Sequence, residues 1–272
     1  MNLALHQVSV MDVSPLTLVD LAADVGCDGI CVFTHTPMLP SEDGKIDLGF
    51  PLVTREMVPA LKQRLNERNV SIGNVEFFPV TEDFNLDDYR AGLQIGQDIG
   101  AARLVTHIHD PQFDRAAGNL HALGAAAAEY GLLACLEFTP LFPACPSIGE
   151  AVRIINASGS DNVRIGVDAL HLERSGGTVA DVAAVDPALI GYCQICDGPR
   201  GRGEGYFDEA LDRLVAGTGE FPLRELARVL PAHTAYDVET PLAALADRGV
   251  SATERVKLAV DGARWMLAEG QA

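Results

Sequence analysis

The feature that most restricts the fold is an alternation running from one end of the chain to the other. Short runs rich in β-branched residues take turns with longer stretches whose apolar residues recur at helical spacing. Eight such pairs follow one another. The strand segments are Leu3 to Val10, Gly29 to Thr34, Val70 to Val80, Arg103 to His109, Leu132 to Thr139, Val163 to Leu170, Gly191 to Asp197 and His233 to Glu239. Helical spacing covers Pro15 to Val25, Thr54 to Asn69, Leu86 to Ile99, Phe113 to Tyr130, Ile148 to Ala157 and Val179 to Ile190. Ser147 with Glu150 three residues on has the capping-box pattern, and Gly26, Gly100 and Gly131 stand where helices should stop. Eight units in 272 residues allow about 34 residues each, close to the roughly 30 of one strand–helix–strand step. Strands joined through helices pair in parallel, and eight repeats predict closure into a single α/β domain, a (β/α)8 barrel over residues 1–272. The competing fold, a doubly wound dinucleotide-binding sheet, needs a glycine fingerprint after the first strand, where this chain reads SVMDVSP.

Composition narrows the function classes. With 48% hydrophobic and 21% charged residues the chain has ample material for a core, and disorder is excluded as its general state. A formal charge of −18 repels phosphate backbones and anionic lipid, so neither nucleic acid nor membrane is the expected partner. The opening residues, MNLALHQVSVMDVSP, lack a basic leader, and no run approaches the roughly 18 apolar residues of a membrane span. A cytoplasmic protein is the expectation; a homo-oligomer is left open. The six cysteines sit in apolar, strand-like runs and read as small buried hydrophobes. Cys193-x-x-Cys196 has redox spacing but lies within a strand-like run rather than at a helix N-terminus.

In such a barrel, chemistry belongs at the C-terminal ends of the strands. Strand five ends in Glu137 and Thr139, strand six in Asp168 and His171, strand seven in Gln194 and Asp197, and strand eight in Asp237, Glu239 and Thr240. Each is an oxygen- or nitrogen-bearing side chain delivered from an apolar run. Singly, any of them reads equally well as a satisfied strand-end group. Together, Glu137, Asp168 and Glu239 are carboxylates that cannot neutralise one another, and no lysine stands nearby on those strands. Adding Gln194 gives an all-oxygen set suited to Mn²⁺ or Mg²⁺, with Co²⁺ as a further option.

These four strand ends, with the D-x-x-H of Asp168 and His171 and the stretch Gly217-Thr218-Gly219-Glu220-Phe221-Pro222-Leu223, resemble the xylose isomerase-like barrels of the sugar phosphate isomerase/epimerase family. The resemblance is clear from Leu132 to Pro241. It implies a metal on Glu137, Asp168, Gln194 and Glu239, a substrate-facing His171, and a substrate-binding Arg200 six residues after Gln194. Two departures matter. Ketose 3-epimerases of the group carry His where this chain has Gln194, and here the chain is similar to the 3-dehydroshikimate dehydratases. The second substrate-contacting Glu of those epimerases has no counterpart in Leu141-Phe142-Pro143-Ala144, and such an apolar loop points to a less hydroxylated substrate.

The resemblance implies proton abstraction beside a chelated carbonyl, because negative charge then develops next to a cation. Glu137 and Glu239 are the proton-transfer candidates. Return of the proton to the opposite face gives epimerisation, return to the adjacent carbon isomerisation, and loss of a β-hydroxyl dehydration. A divalent-metal-dependent sugar or sugar phosphate isomerase or epimerase, acting on a small hydroxy-carbonyl substrate through an enolate or enediolate, is expected, with a lyase of the 3-dehydroshikimate dehydratase type as the alternative. Glu76, His107, His109 and His35 are further candidates to line the pocket, and Arg200 and Arg202 to close over a substrate. Asp197 orients Arg200 or the metal shell, or else accepts loop hydrogen bonds. A three-zinc nuclease of the endonuclease IV type would use His109, Glu137, Asp168, His171 and Glu239, but Gln194 and the acidic charge oppose it. A barrel without catalysis would have no reason to keep the buried carboxylates.

Overall fold

The computed structural model describes residues 2–35, 38–41, 44–47, 49, 51–201 and 205–270. Eight parallel strands close into a barrel: β1 (Leu3–His6), β2 (Gly29–Phe33), β3 (Ser71–Glu76), β4 (Arg103–Thr106), β5 (Leu133–Glu137), β6 (Val163–Asp168), β7 (Ile190–Ile195) and β8 (Ala235–Val238). Chain order is also the order around the barrel, and β8 closes on β1. This is the predicted architecture, and each strand falls inside its predicted segment or within one residue of it. A two-stranded antiparallel hairpin, Met38–Ser41 with Gly44–Asp47, was not foreseen.

Where observed elements are shorter than the periodicity suggested, a local competitor is visible. After His6 the chain turns into the 3-10 turn Gln7–Val10, because the Gln7 side chain accepts from the Phe33 amide at 3.0 Å and donates to the Pro51 carbonyl at 2.8 Å. After Asp168 the expected strand gives way to the helix Ala169–Arg174, whose Leu170 and His171 amides donate to Asp168 Oδ1 at 2.6 and 3.3 Å. The helix expected over Val179 to Ile190 breaks before Pro187 into Val179–Ala183 and the 3-10 turn Pro187–Leu189. Gly26, Gly100 and Gly131 do stop their helices, with φ of 71°, 73° and 73°.

Register places the chemistry. Asp168 pairs with Gln194, Gln194 with Asp237, and Glu137 with Gly166, so these side chains reach the same end of neighbouring strands. Glu239 lies just past the end of β8. One continuous apolar cluster, from Leu3 to Leu267, packs the strands against the helices. The barrel interior also holds a polar set. Arg103 donates to Asn74 Oδ1 at 2.6 Å, Asn74 donates to Asp237 Oδ2 at 2.7 Å, and the Arg103 guanidinium lies 4.8 Å from the Tyr192 ring centre. Asp237, read from sequence as a strand-end group, thus serves beneath the site. Tyr192 has room because Gly166 faces it; a Cβ there would come within 2.6 Å of its ring.

All six cysteines are buried and unbridged, and burial pushes the Cys193 and Cys196 thiols up, which removes the redox reading. Among the described residues no helix is long and apolar enough to cross a membrane.

Candidate active site

A cavity of about 100 Å³ opens at the C-terminal ends of the strands. His6, Glu76, His107, Glu137, His171, Gln194, Arg213 and Glu239 form its polar side. Val8, Phe33, Phe77, Leu141, Phe142 and Leu211 add apolar lining. Asp168 is fully buried just behind the polar side.

Glu137 is gripped by donors. Tyr192 donates its hydroxyl to Oε2 at 3.0 Å, His171 Nε2 lies 3.1 Å from Oε1, and His107 Nε2 lies 3.8 Å from Oε2. Burial opposes the charge, yet the two histidines hold this carboxyl well below the usual carboxylate range. His171 is likewise disfavoured as a cation by burial but pulled up by Asp168 and Glu137. Its Nδ1 pairs with the Tyr206 hydroxyl, which in turn pairs with Thr139 Oγ1 at 3.2 Å.

Glu239 sits in the opposite electrostatic condition. Burial pushes its carboxyl up to about 7, with Asp168 and Glu137 adding to the rise and Arg213 and His6 opposing it. Arg213 was missed in the sequence because it follows the strand-seven loop instead of ending a strand. Its guanidinium donates to Asp168 Oδ2 and to Glu239 Oε1, each at 2.7 Å. No lysine stands on those strands, but tertiary structure brings an arginine from outside them to two of the three carboxylates. His6, also missed inside the apolar run LALHQV, contacts Glu76 Oε1 through Nε2 at 2.8 Å and lies 3.8 Å from Glu239 Oε2. Burial works against its proton, but Glu76 and Glu239 carry its pKa up to about 10. No single-residue signal marked either side chain; both are neighbours only across the barrel.

Of the other candidates, Glu76 and His107 line the cavity, and Arg200, His109 and His35 do not. Arg200 is exposed, where its amide donates to Glu220 Oε2 at 2.9 Å and its Nε to the Glu220 carbonyl at 3.1 Å. His109 lies behind the wall, stacked on Phe142 with 3.5 Å between ring centres, and burial with the neighbouring His107 lowers its pKa to about 3. His35 turns away between Phe78 and Tyr89, in a notch over Gly92 that a side chain there would fill. Arg202 lies outside the described residues. Asp197 is a loop organiser, accepting the amides of Gly217 at 2.9 Å and Phe221 at 3.0 Å.

A family model for the xylose isomerase-like TIM barrel matches residues 19–268. The chain belongs to this family. Within the xylose isomerase-like TIM barrels it is 27% identical, over 144 residues, to an inosose isomerase of Halalkalibacterium halodurans; the aligned stretch spans 51% of this chain and 44% of that protein, less than half its length. The fold is shared with the IolI protein crystallised with a zinc atom (TM-score 0.81, 16% identity, 99% of each chain). It is shared too with D-psicose 3-epimerase of Clostridium cellulolyticum H10 (TM-score 0.73, 11% identity, 98% of this chain and 99% of that one). A probable 3-DHS dehydratase of Bacillus anthracis has TM-score 0.73 and 12% identity over 96% of this chain and 98% of its own.

The residues present fit a divalent cation. Gln194 Oε1 is buried without a hydrogen-bond partner, and ligand atoms of Glu137, Asp168 and His171 lie within 4.8 Å of one another. Glu76, Glu137, Asp168 and Glu239 face one permanent cation, Arg213, and the histidines His6, His107 and His171. Oxygen donors from Glu137, Asp168, Gln194 and Glu239, with His171 beside them, are the donor chemistry of a divalent-cation site.

Proposed function

We propose that this chain is a divalent-metal-dependent isomerase or epimerase of a small polyhydroxylated carbonyl compound. The reading is carried by one observation: Glu137, Gln194 and Glu239 line a single cavity, and Asp168, buried, shares the Arg213 guanidinium with Glu239. Glu137, Asp168, Gln194 and Glu239 would hold the ion, which when bound acts as a Lewis acid that makes the C–H beside a carbonyl more acidic.

Glu137 and Glu239 both line the cavity, and with Glu137 engaged by Tyr192 and His171 we assign Glu239 as the base. Before the ion binds, the Glu239 side chain is held toward the cavity by Arg213 at 2.7 Å. The Glu137–His171 pair, three strands away around the mouth, supplies the return proton, with Tyr206 fixing the His171 ring from behind. Tyr192 and His171 spend their hydrogen bonds on Glu137, so its carboxylate keeps one orientation. His6 and Glu76 present hydrogen-bonding groups to the substrate's hydroxyls on the β1–β3 side.

A dehydratase is the second reading, favoured by Phe33, Phe77, Leu141 and Phe142 in the lining, side chains that offer no hydrogen-bond partners to substrate hydroxyls. The test is incubation of the manganese-loaded protein with ketoses, aldoses, inososes and cyclic β-hydroxyketones in heavy water, followed by proton NMR. Exchange at one α-carbon with no loss of water supports the isomerase; exchange with formation of an enone supports the lyase. No exchange with any compound, together with no bound Mn, Mg or Co by elemental analysis, refutes both.

A further inference from the structure

We propose that Arg213 is the resident counter-ion of the metal-free site, and that a divalent cation binds by taking over the carboxylate oxygens this guanidinium holds. The inference rests on the metal-dependent reading above. Arg213 is 4% exposed, and its two terminal nitrogens each lie 2.7 Å from an oxygen of a different proposed ligand, Asp168 Oδ2 and Glu239 Oε1. The remaining oxygens of those carboxylates are engaged elsewhere. Asp168 Oδ1 accepts the Leu170 and His171 amides, and Glu239 Oε2 accepts from the Gln194 amide nitrogen.

A cation drawn to Glu137 and to the unpartnered Gln194 Oε1 therefore completes its shell only with oxygens already bonded to a positive charge. Two cations sharing the same pair of oxygens in a buried site repel strongly, so binding becomes an exchange. The guanidinium can yield. Apart from the carboxylates, Arg213 is held by the Ala210 carbonyl at 3.1 Å, the Glu239 carbonyl at 3.3 Å and the Cys196 sulfur at 3.5 Å, and it already lines the cavity into which it would turn. The arrangement keeps Asp168 and Glu239 neutralised in the empty protein at the expense of metal affinity.

The test is titration of Mn²⁺ into the chelator-stripped, full-length protein, read by the electron paramagnetic resonance of free Mn²⁺, for the parent, Arg213→Met and Arg213→Lys. The neutral variant is expected to bind Mn²⁺ about tenfold more tightly or better. The lysine variant, which keeps the charge, should stay within about threefold of the parent. Arg213→Met should also melt lower than the parent in chelator and draw level at saturating Mn²⁺. Equal or weaker Mn²⁺ binding by Arg213→Met overturns the exchange while leaving the metal site standing; absence of Mn²⁺ binding by parent and variants alike overturns the metal-dependent reading. Should Arg213→Met fold only when Mn²⁺ is present, the ion has replaced the counter-ion and the proposal is supported; should it fold in neither condition, Arg213→Gln is judged by the same affinities.

Discussion

Replacing Tyr192 by Phe removes one hydroxyl and nothing else from the floor of the site. The ring fills the same space beside Gly166, no cavity opens, and the stacking of Arg103 at 4.8 Å is retained. What is lost is the 3.0 Å hydrogen bond to Glu137 Oε2, a bond to a charged acceptor with both partners buried. Hydrogen bonds of this kind contribute about 1.5–3 kcal/mol. For a chain of this length 1 kcal/mol is worth about 2 °C in melting temperature, so Tyr192→Phe should melt about 3–6 °C below the parent. The pH dependence has a definite sign. Glu137 is held below its unfolded pKa, so the contribution is complete above the unfolded value of about 4.5 and fades as pH falls through the folded one. The gap between parent and variant should be full near neutrality and narrow toward strong acid. Circular dichroism melts in chelator, across that range, are the assay. A gap below about 0.5 kcal/mol at neutral pH, or one that widens in acid, would refute the assignment of Tyr192 as a hydrogen-bond donor to ionised Glu137.

Glu239→Gln should lower α-proton exchange by about 10²–10⁴-fold while the protein stays folded, because Arg213 keeps Asp168 as a partner; full activity would remove Glu239 from the chemistry. His109→Phe should flatten the acid limb of the stability profile. His109 is held near 3 in the fold against 6.5 in the unfolded chain, so the parent loses stability as pH drops from about 6.5, and urea midpoints of the variant should fall less over that interval. Arg200→Ala should change turnover and apparent affinity by less than about twofold, since its partner is Glu220 on the surface; a large rise in KM would show that Arg200 reaches the substrate.

The sequence alone determined the barrel, because strand and helix periods are local properties that eight repeats impose without knowledge of contacts. It also marked Glu137, Asp168, Gln194 and Glu239, since a strand-end oxygen following a run of buried apolar residues is visible in one dimension. Residues that enter from outside that pattern were illegible. Arg213 is 19 residues beyond Gln194 and His6 is 70 before Glu76, and only barrel closure makes each a neighbour of the carboxylates. The reverse error has the same origin. His35, His109 and Arg200 stand close to strand ends in the chain, yet Gly92, Phe142 and Glu220 offer them better contacts away from the cavity. Position along a strand sets which end a side chain reaches; whether it turns inward is settled by packing between segments far apart in sequence, and so was the balance of charge around the carboxylates.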